Sequence, residues 1–492
     1  MTTPIEALIP PGVEAILDRQ FQLLIGGSLV PALSGASYPD MSPVTGAVIA
    51  QIPDGGEADV TAAVAAADTA RKDWRRIVPA QRGALVREFA DVIEKNSEEL
   101  ALLDAIDAGI PIGNARADVA LAVASMRMFA SFALEMKGTT IPASNNIHMT
   151  VREPIGIVAR IVAFNHPLMF ACKIAAPLVA GNCVLLKAPD EAPLSSLRLG
   201  ELAAEIFPPG VLSVLVGKGP SVPRAIVRHP GVRRIGFIGS ESTGRAIQRD
   251  AAEVGVKDVT LELGGKNAMI VFADSDLDKA AAGAVAGMNF AWSGQSCGSN
   301  SRLLVHESIA DDLTSRIVDI IKALTVGNPL EDDCQQGPMI SQAQCQKSLD
   351  YIGIAVSEGA TILVGGGRPE GIPRGFYVSP TVLGGVRPES RIAREEVFGP
   401  VLSIMTFRTE DEAIEIANDV DYGLTASVWT QDISRAHRVV GELEAGFTWI
   451  NGSSRHFPNV PYGGYKNSGT GREESIEELL SYTELKSINI ML

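Results

Sequence analysis

A cysteine set among small residues is the first feature of this sequence able to do covalent chemistry. Cys297 lies in Gly294-Gln295-Ser296-Cys297-Gly298-Ser299, after a stretch, 276–293, that reads as a helix. A thiolate in such a turn is open to a substrate and to backbone N–H groups. It attacks a carbonyl carbon well, and its sulfur can later depart. A free cysteine is more often an inert core residue. Cys172 and Cys183 fit that description on apolar faces, and Cys334 and Cys345 fall in polar stretches that read as surface. The same window also fits the hydrolase elbow G-x-S-x-G, with Ser296 as nucleophile. That elbow needs a strand before it and a helix after it. Here the order is reversed, which favours the cysteine.

A base, an anion site and a cofactor site can be read beside it. Glu262 ends an apolar strand in Leu261-Glu262-Leu263-Gly264-Gly265-Lys266-Asn267. Desolvation there raises a carboxyl pKa toward the range of a general base; the competing reading is an ordinary edge-of-sheet ion pair. Asn165 follows a strand in the crevice region of an open α/β sheet, where its amide could donate to an oxyanion beside the Cys297 N–H. It could also be only a turn residue before His166-Pro167. Gly239-Ser240-Glu241-Ser242-Thr243-Gly244 makes a strand, a glycine turn and a helix start, which suits a phosphate. Its spacing departs from G-x-G-x-x-G, and a plain capped helix is the competing reading. Lys187 and Asp190 end a further strand, where ribose hydroxyls are held in dinucleotide folds. Asp190 repels a 2′-phosphate and Lys187 attracts one; the balance leans to NAD, with NADP left open.

Those residues need a scaffold to bring them together. Strands at 156–163, 183–187, 211–216, 232–238 and 259–263 alternate with helices, and the alternation resumes at 268–272, 302–305, 361–364, 401–407, 425–429 and 447–450. Such alternation predicts parallel doubly wound sheets. The first 50 residues read as a wrapping arm with strands at 21–25 and 48–52, followed by helices at 57–75, 79–109 and 114–136. The segments 139–154 and 481–491 alternate polar and apolar residues outside both domains, and exposed strands of that kind must be covered; subunit contacts are expected there.

Composition bounds the rest. A chain of 492 residues predicts two or three domains. With 46% hydrophobic and 20% charged residues it has ample core material, which argues against disorder. A net charge of −16 makes nucleic acid an unsuitable partner. The cysteines are odd in number and show no metal-ligand spacing, so no metal is expected. The N-terminus lacks a basic region followed by an apolar run, and no stretch of 18 or more apolar residues occurs. No secretory signal, no membrane span and a cytoplasmic location are expected.

Taken in order, Asn165, Lys187, the 239–244 turn, the 261–267 motif and Gly294-Gln295-x-Cys297 resemble the aldehyde dehydrogenase superfamily. So do Glu395-Glu396-Val397-Phe398-Gly399-Pro400, Pro461-Tyr462-Gly463-Gly464-Tyr465-Lys466-Asn467-Ser468-Gly469 and Gly471-Arg472-Glu473. The resemblance runs from about residue 20 to the end. It implies a Rossmann-like cofactor domain (1–137 and 155–262), a catalytic domain (263–477), and a β-strand oligomerisation arm (138–154 and 478–492) of a homodimer or homotetramer. It also implies that Cys297 is the nucleophile, Glu262 activates the hydrolytic water, and Asn165 with the Cys297 N–H holds the oxyanion. Glu396 and Phe398 would hold the nicotinamide ribose and ring, Ser240 would meet the pyrophosphate, and Phe164, Lys187, Asp190, Gly219, Gly239 and Gly244 would complete the cofactor set. His166, Phe170, Trp292, Ser296, Phe457 and Tyr462 would line the substrate tunnel. Their aromatic character points to an aromatic or medium-length apolar aldehyde. Arg455 and His456 could instead anchor the carboxylate of a semialdehyde. CoA-acylating relatives commonly lack the base, so Glu262 favours hydrolysis; the complete residue set weighs against a non-catalytic scaffold. Ala163-Phe164 stand where the family usually carries Pro-Trp, a change in packing more than in chemistry.

Overall fold

The computed structural model describes residues 16–492. The first fifteen residues, read from sequence as the start of the arm, lie outside it. Two large sheets organise the chain. In the first, the strands Leu212–Leu215, Cys183–Lys187, Ile157–Ile161, Arg234–Ile238 and Asp258–Glu262 lie side by side and parallel. Strands of this kind are buried on both faces and read as unbroken apolar runs. Ile157–Ile161 and Cys183–Lys187 are buried at every position. The hairpin Leu23–Ile25 and Ser28–Val30 closes one edge, and Gly469–Thr470 pairs antiparallel with Asp258–Glu262 at the other.

The second sheet runs Thr361–Val364, Thr381–Gly384, Val401–Phe407, Arg302–His306, Ala268–Val271, Thr425–Trp429, Phe447–Ile450. All its neighbours are parallel except the first pair. Helices cover both sheets, as parallel strands require. The expected class, two doubly wound α/β units, is the class observed. Ile147–Pro154 and Thr483–Ile490 form a separate antiparallel ribbon with eight paired positions.

The structure departs from expectation at several points. The 79–109 helix is two helices, Pro79–Lys95 and Ser97–Ala108. Asn96 interrupts them, its side-chain amide donating to Val92 O at 2.8 Å, the local backbone competition typical of Asn. The 276–293 helix stops at Gly287, because Asn289 and Ser293 take left-handed φ of 55° and 53°. The strands Ser28–Val30, Ser37–Met41, Thr381–Gly384 and Gly469–Thr470 went unread; all are short and bounded by turn residues. Cys334 and Cys345 are not surface residues but 7% and 0% exposed. Cys345 shares the inner face of helix Gln342–Ser357 with Ser348, Ile352 and Ala355, and the polar residues around it in sequence occupy the outer face. The segment Ile112–Glu135 is long and apolar enough to cross a membrane by length and composition, with mean hydropathy 1.5. Its Val119, Val123, Met126 and Phe129 pack into the core beneath the first sheet.

Candidate active site

Three neighbouring strands of the first sheet end level with one another. Ile161 is in register with Phe237, and Ile238 with Glu262. The residues just past these ends, Ala163-Phe164-Asn165, Gly239-Ser240 and Leu263-Gly264, line one side of a cleft of about 590 Å³. Cys297, Glu396, Phe398, Gln344 and Lys347 line the other. The cleft sits where the strand order reverses, between Ile157–Ile161 and Arg234–Ile238. Open α/β sheets bind ligands at that switch point.

The 261–267 motif holds the Cys297 turn as well as carrying Glu262. Asn267 Nδ2 donates to Cys297 O at 2.7 Å and to Ser299 O at 2.9 Å, and its Oδ1 accepts from Thr425 N at 3.0 Å. One amide thus pins the Cys297 turn to the second sheet. Gly265 is required for this approach, since a Cβ there would lie 2.9 Å from Cys297 O. Cys297 Sγ lies 3.9 Å from the Tyr462 hydroxyl. Burial first, and then the charge of Glu396, push the Cys297 thiol up to about 12. A thiol held that high rests protonated at neutral pH. The strand-turn-helix context of a serine elbow is absent: a 3₁₀ turn, Phe290–Trp292, precedes Ser296 and the strand Arg302–His306 follows.

Glu262 is 5% exposed, and neither carboxylate oxygen has a hydrogen-bond partner among the described residues. Burial is the chief cause that raises its pKa well above the carboxylate range; repulsion from Glu473 adds to it and Lys173 opposes it. A buried, unpaired carboxylate lining a cleft is poised to accept a proton. Asn165 is 5% exposed, lines the same cleft, and makes no side-chain hydrogen bond to the described residues. Its amide is free to donate to an anion.

A buried ionic chain lies within electrostatic reach of Glu262. Glu473 accepts from Arg160 Nη1 and Lys173 Nζ, both at 2.7 Å. Lys173 also reaches Glu474 Oε1 at 3.3 Å, and Glu474 Oε2 meets His456 Nδ1 at 2.8 Å. Burial raises the pKa of both carboxylates, but the cations prevail and hold each at about 2.

The cofactor residues divide into two groups. Phe164, Gly239, Ser240, Glu396 and Phe398 line the cleft. The rings of Phe164 and Phe398 meet edge to face at 5.9 Å, with Phe398 held at φ 56°. Ser240 caps helix Glu241–Val254 through Thr243 N at 3.3 Å, so the first turn presents N–H groups suited to phosphate. Gly244 lets that helix close on Leu263, which a Cβ would meet at 2.8 Å. Glu396 packs against Gly264, where a Cβ would lie 2.0 Å from its Oε2. Lys187, Asp190 and Gly219 stand apart, at the end of the neighbouring strand. Asp190 accepts from Lys187 Nζ at 3.3 Å and from Gly219 N at 3.0 Å. A glycine-lined floor and an N-capped helix start fit a dinucleotide.

None of the six expected tunnel residues lines this cleft. His166, Phe170 and Trp292 gather around Asp118, with ring centroids 5.2 and 5.1 Å from the imidazole. Tyr462 packs against Phe447 and His456 at 5.3 and 4.5 Å. Ser296 is half-buried beside Cys297, and Phe457 is exposed beneath Arg455 at 5.7 Å.

Comparison with known proteins settles the family. The aldehyde dehydrogenase family model matches residues 30–488. This chain belongs to that family. Aldehyde dehydrogenase tropH of Talaromyces stipitatus is 41% identical, over 98% of this chain and 95% of its own length. The peroxisomal aminoaldehyde dehydrogenase 2 of Pisum sativum is 40% identical, over 95% of each. Among aldehyde dehydrogenase structures, betaine aldehyde dehydrogenase from Staphylococcus aureus, solved in complex with NAD⁺, superposes with a TM-score of 0.95 at 35% identity, covering 97% of this chain and 96% of that one.

Sequence reasoning missed Gln344 and Lys347, Asp118, and the Arg160–Glu473–Lys173–Glu474 chain. The first two sit on an amphipathic helix whose charges look like any solvated face. Only Glu473 carried a signal, as part of the Gly471-Arg472-Glu473 motif.

Proposed function

We propose that this chain oxidises an aromatic or medium-length apolar aldehyde to its carboxylate with NAD⁺, through a thioester on Cys297. The observation carrying this reading is that Cys297, Glu262 and Asn165 share one cleft with Glu396 and Phe398. Cys297 Sγ, its proton first lost to water, adds to the aldehyde carbon as the thiolate. The alkoxide is held by the Asn165 amide and the Cys297 N–H. NAD⁺, when bound along the 239–244 turn and Glu396, supplies the hydride acceptor. Oxidation leaves the acyl group on Cys297. Glu262 then deprotonates a water that hydrolyses the thioester, and the buried ionic chain behind it keeps the carboxyl from being neutralised by a direct cation contact. A carboxylate free on both oxygens favours water over CoA as acyl acceptor. Asp190 favours a free 2′-hydroxyl, hence NAD over NADP.

One observation favours a second substrate class. His456 is occupied by Glu474, but the exposed Arg455 guanidinium contacts only the Phe457 ring and pairs with no carboxylate among the described residues. That cation suits the far carboxylate of a semialdehyde. The exposed ribbon Ile147–Pro154 and Thr483–Ile490, with Leu485 56% exposed, suits burial between subunits of a homodimer or homotetramer. Its five free thiols suit the reducing cytoplasm.

The deciding experiment follows NADH formation with benzaldehyde, hexanal and succinate semialdehyde, with NAD⁺ and NADP⁺ in parallel. Highest kcat/KM for benzaldehyde or hexanal is expected. Highest kcat/KM for the semialdehyde replaces this substrate reading with the second, and no NADH from any aldehyde removes both.

A further inference from the structure

Among the described residues the Cys297 sulfur has one hydrogen-bonding neighbour, the Tyr462 hydroxyl at 3.9 Å. Burial, and then the charges of Glu396 and Glu262, oppose ionisation of the sulfur; the Tyr462 hydroxyl and Lys173 favour it. A thiolate formed there depends on a donor close at hand. The phenol is held in that place from two sides. Tyr462 N donates to Glu473 O at 3.0 Å, and Tyr462 O accepts from Glu473 N at 2.8 Å. Arg160 and Lys173 in turn anchor the Glu473 carboxylate. The Tyr462 ring lies in an apolar cluster with Leu424, Phe447 and Trp449, against which Cys297 also packs. Phenylalanine would fill that cluster equally well. What the hydroxyl adds is its contact with Sγ. A buried hydroxyl is costly unless it is hydrogen-bonded, and this one, on a residue 5% exposed, has no other partner among the described residues.

We infer that Tyr462 is a further catalytic residue, whose hydroxyl donates a hydrogen bond to the Cys297 thiolate and so holds the nucleophile in its reactive form. This rests on the Cys297 thioester reading above and deepens it. It also gives Tyr462 a role other than the tunnel wall expected from the sequence. In the neutral pair either group can donate. Once ionised, the sulfur can only accept. The phenol keeps its own proton: burial first, then the charges of Cys297, Glu262 and Glu474, raise it well above its usual value. The thiol proton goes to water, and the phenol O–H turns toward the sulfur without breaking. The 3.9 Å separation belongs to the resting thiol. Hydrogen bonds to a charged partner are shorter and stronger, and catalytic contacts tighten as charge develops.

The test needs neither aldehyde nor NAD⁺. Iodoacetamide alkylates thiolates, and Cys297 is the one described cysteine that is not buried. Its alkylation rate, read by mass spectrometry of the Cys297 peptide at about pH 8, therefore reports the thiolate. Tyr462→Phe keeps the ring and removes the donor. The thiolate fraction should fall about tenfold, the worth of one hydrogen bond to a charged group. Each remaining thiolate is more nucleophilic for its higher pKa, so the alkylation rate should fall about threefold. A fluorinated tyrosine in place of Tyr462, with fluorine next to the hydroxyl, is a stronger donor of nearly the same shape and should raise the rate. NAD⁺ binding shows that each protein is folded. A Tyr462→Phe rate equal to or above wild type, or a fall with the fluorinated residue, overturns the inference. If Tyr462→Phe does not fold, the fluorinated protein decides alone. Turnover by Cys297→Ala tests the thioester reading separately: if that variant is inactive while alkylation is unmoved in Tyr462→Phe, only this inference falls.

Discussion

Glu396 Oε1 accepts a hydrogen bond from Gly265 N at 3.0 Å, across 131 residues of chain. The contact joins the segment just before strand Val401–Phe407 to the loop that follows Glu262, and so ties the two walls of the cleft together. It depends on the absence of a side chain at 264, where a Cβ would lie 2.0 Å from Glu396 Oε2. Gly264→Ala should therefore displace Glu396 and weaken NAD⁺ binding about tenfold or more, a loss of order 1.4 kcal/mol. Titration of NAD⁺ by protein fluorescence measures it; unchanged affinity would place Glu396 outside the cofactor site.

Cys297→Ala removes the only thiol that lines the cleft among the described residues. Turnover should drop by a factor on the order of 10³ or more while NAD⁺ affinity holds. Steady-state NADH formation and a binding titration check both halves, and turnover near wild type ends the assignment.

Glu262→Gln keeps the shape and removes the base. The acyl-enzyme should accumulate, giving a rapid burst of NADH equal to the sites and then a rate lower by about 10²–10⁴. A linear trace with no burst would show that Glu262 acts before the thioester forms. Stability should move the opposite way. The folded state raises the Glu262 pKa, so it disfavours ionisation, and stability is lost as pH rises from the unfolded carboxyl range of about 4.3 toward the folded value. The Gln variant should thus melt higher at neutral pH; a lower Tm contradicts the sign.

Glu473 and Glu474 behave inversely. Both are held at about 2 in the folded chain, so their contribution is complete above the unfolded range of about 4.3 and drains away as pH falls toward 2. Breaking a buried pair costs about 3–5 kcal/mol. Glu473→Gln should lower Tm at neutral pH and flatten its fall between about pH 5 and pH 3. A melting profile parallel to wild type would mean the chain of charges contributes little.

Asp190→Ala should shift cofactor choice. It removes a carboxylate that holds Lys187 and Gly219 N, and frees Lys187 for a 2′-phosphate. The kcat/KM ratio for NAD⁺ over NADP⁺ should fall about tenfold, by analogy with the worth of one charged contact. A ratio that does not move would assign ribose recognition elsewhere.

The parallel strands were legible because buried apolar runs leave a pattern that neighbouring turns delimit. Cys183–Lys187, Val401–Phe407 and Phe447–Ile450 were read to the residue. Thr381–Gly384 and Gly469–Thr470 were not, since four or two residues carry no period. Cys297, Glu262 and Asn165 were readable from local chemistry only as options; motif order joined them into an expected site, and the level strand ends bring the Asn165 and Glu262 turns to one cleft. Asp118 could not have been read. It lies amid the alanines of a core helix, and only the fold shows that it touches both His166 and Trp292.

The strand carrying Glu262 has Gly469–Thr470 as its outer neighbour, and Ser468 Oγ donates to Gly264 O across 204 residues. During synthesis, then, the base emerges from the ribosome long before the segment that seals its flank. A nascent or truncated chain ending before residue 469 would carry every residue of the reaction and still lack the wall behind the base. The flank of Glu262 is thus closed only by a segment that follows it far along the chain.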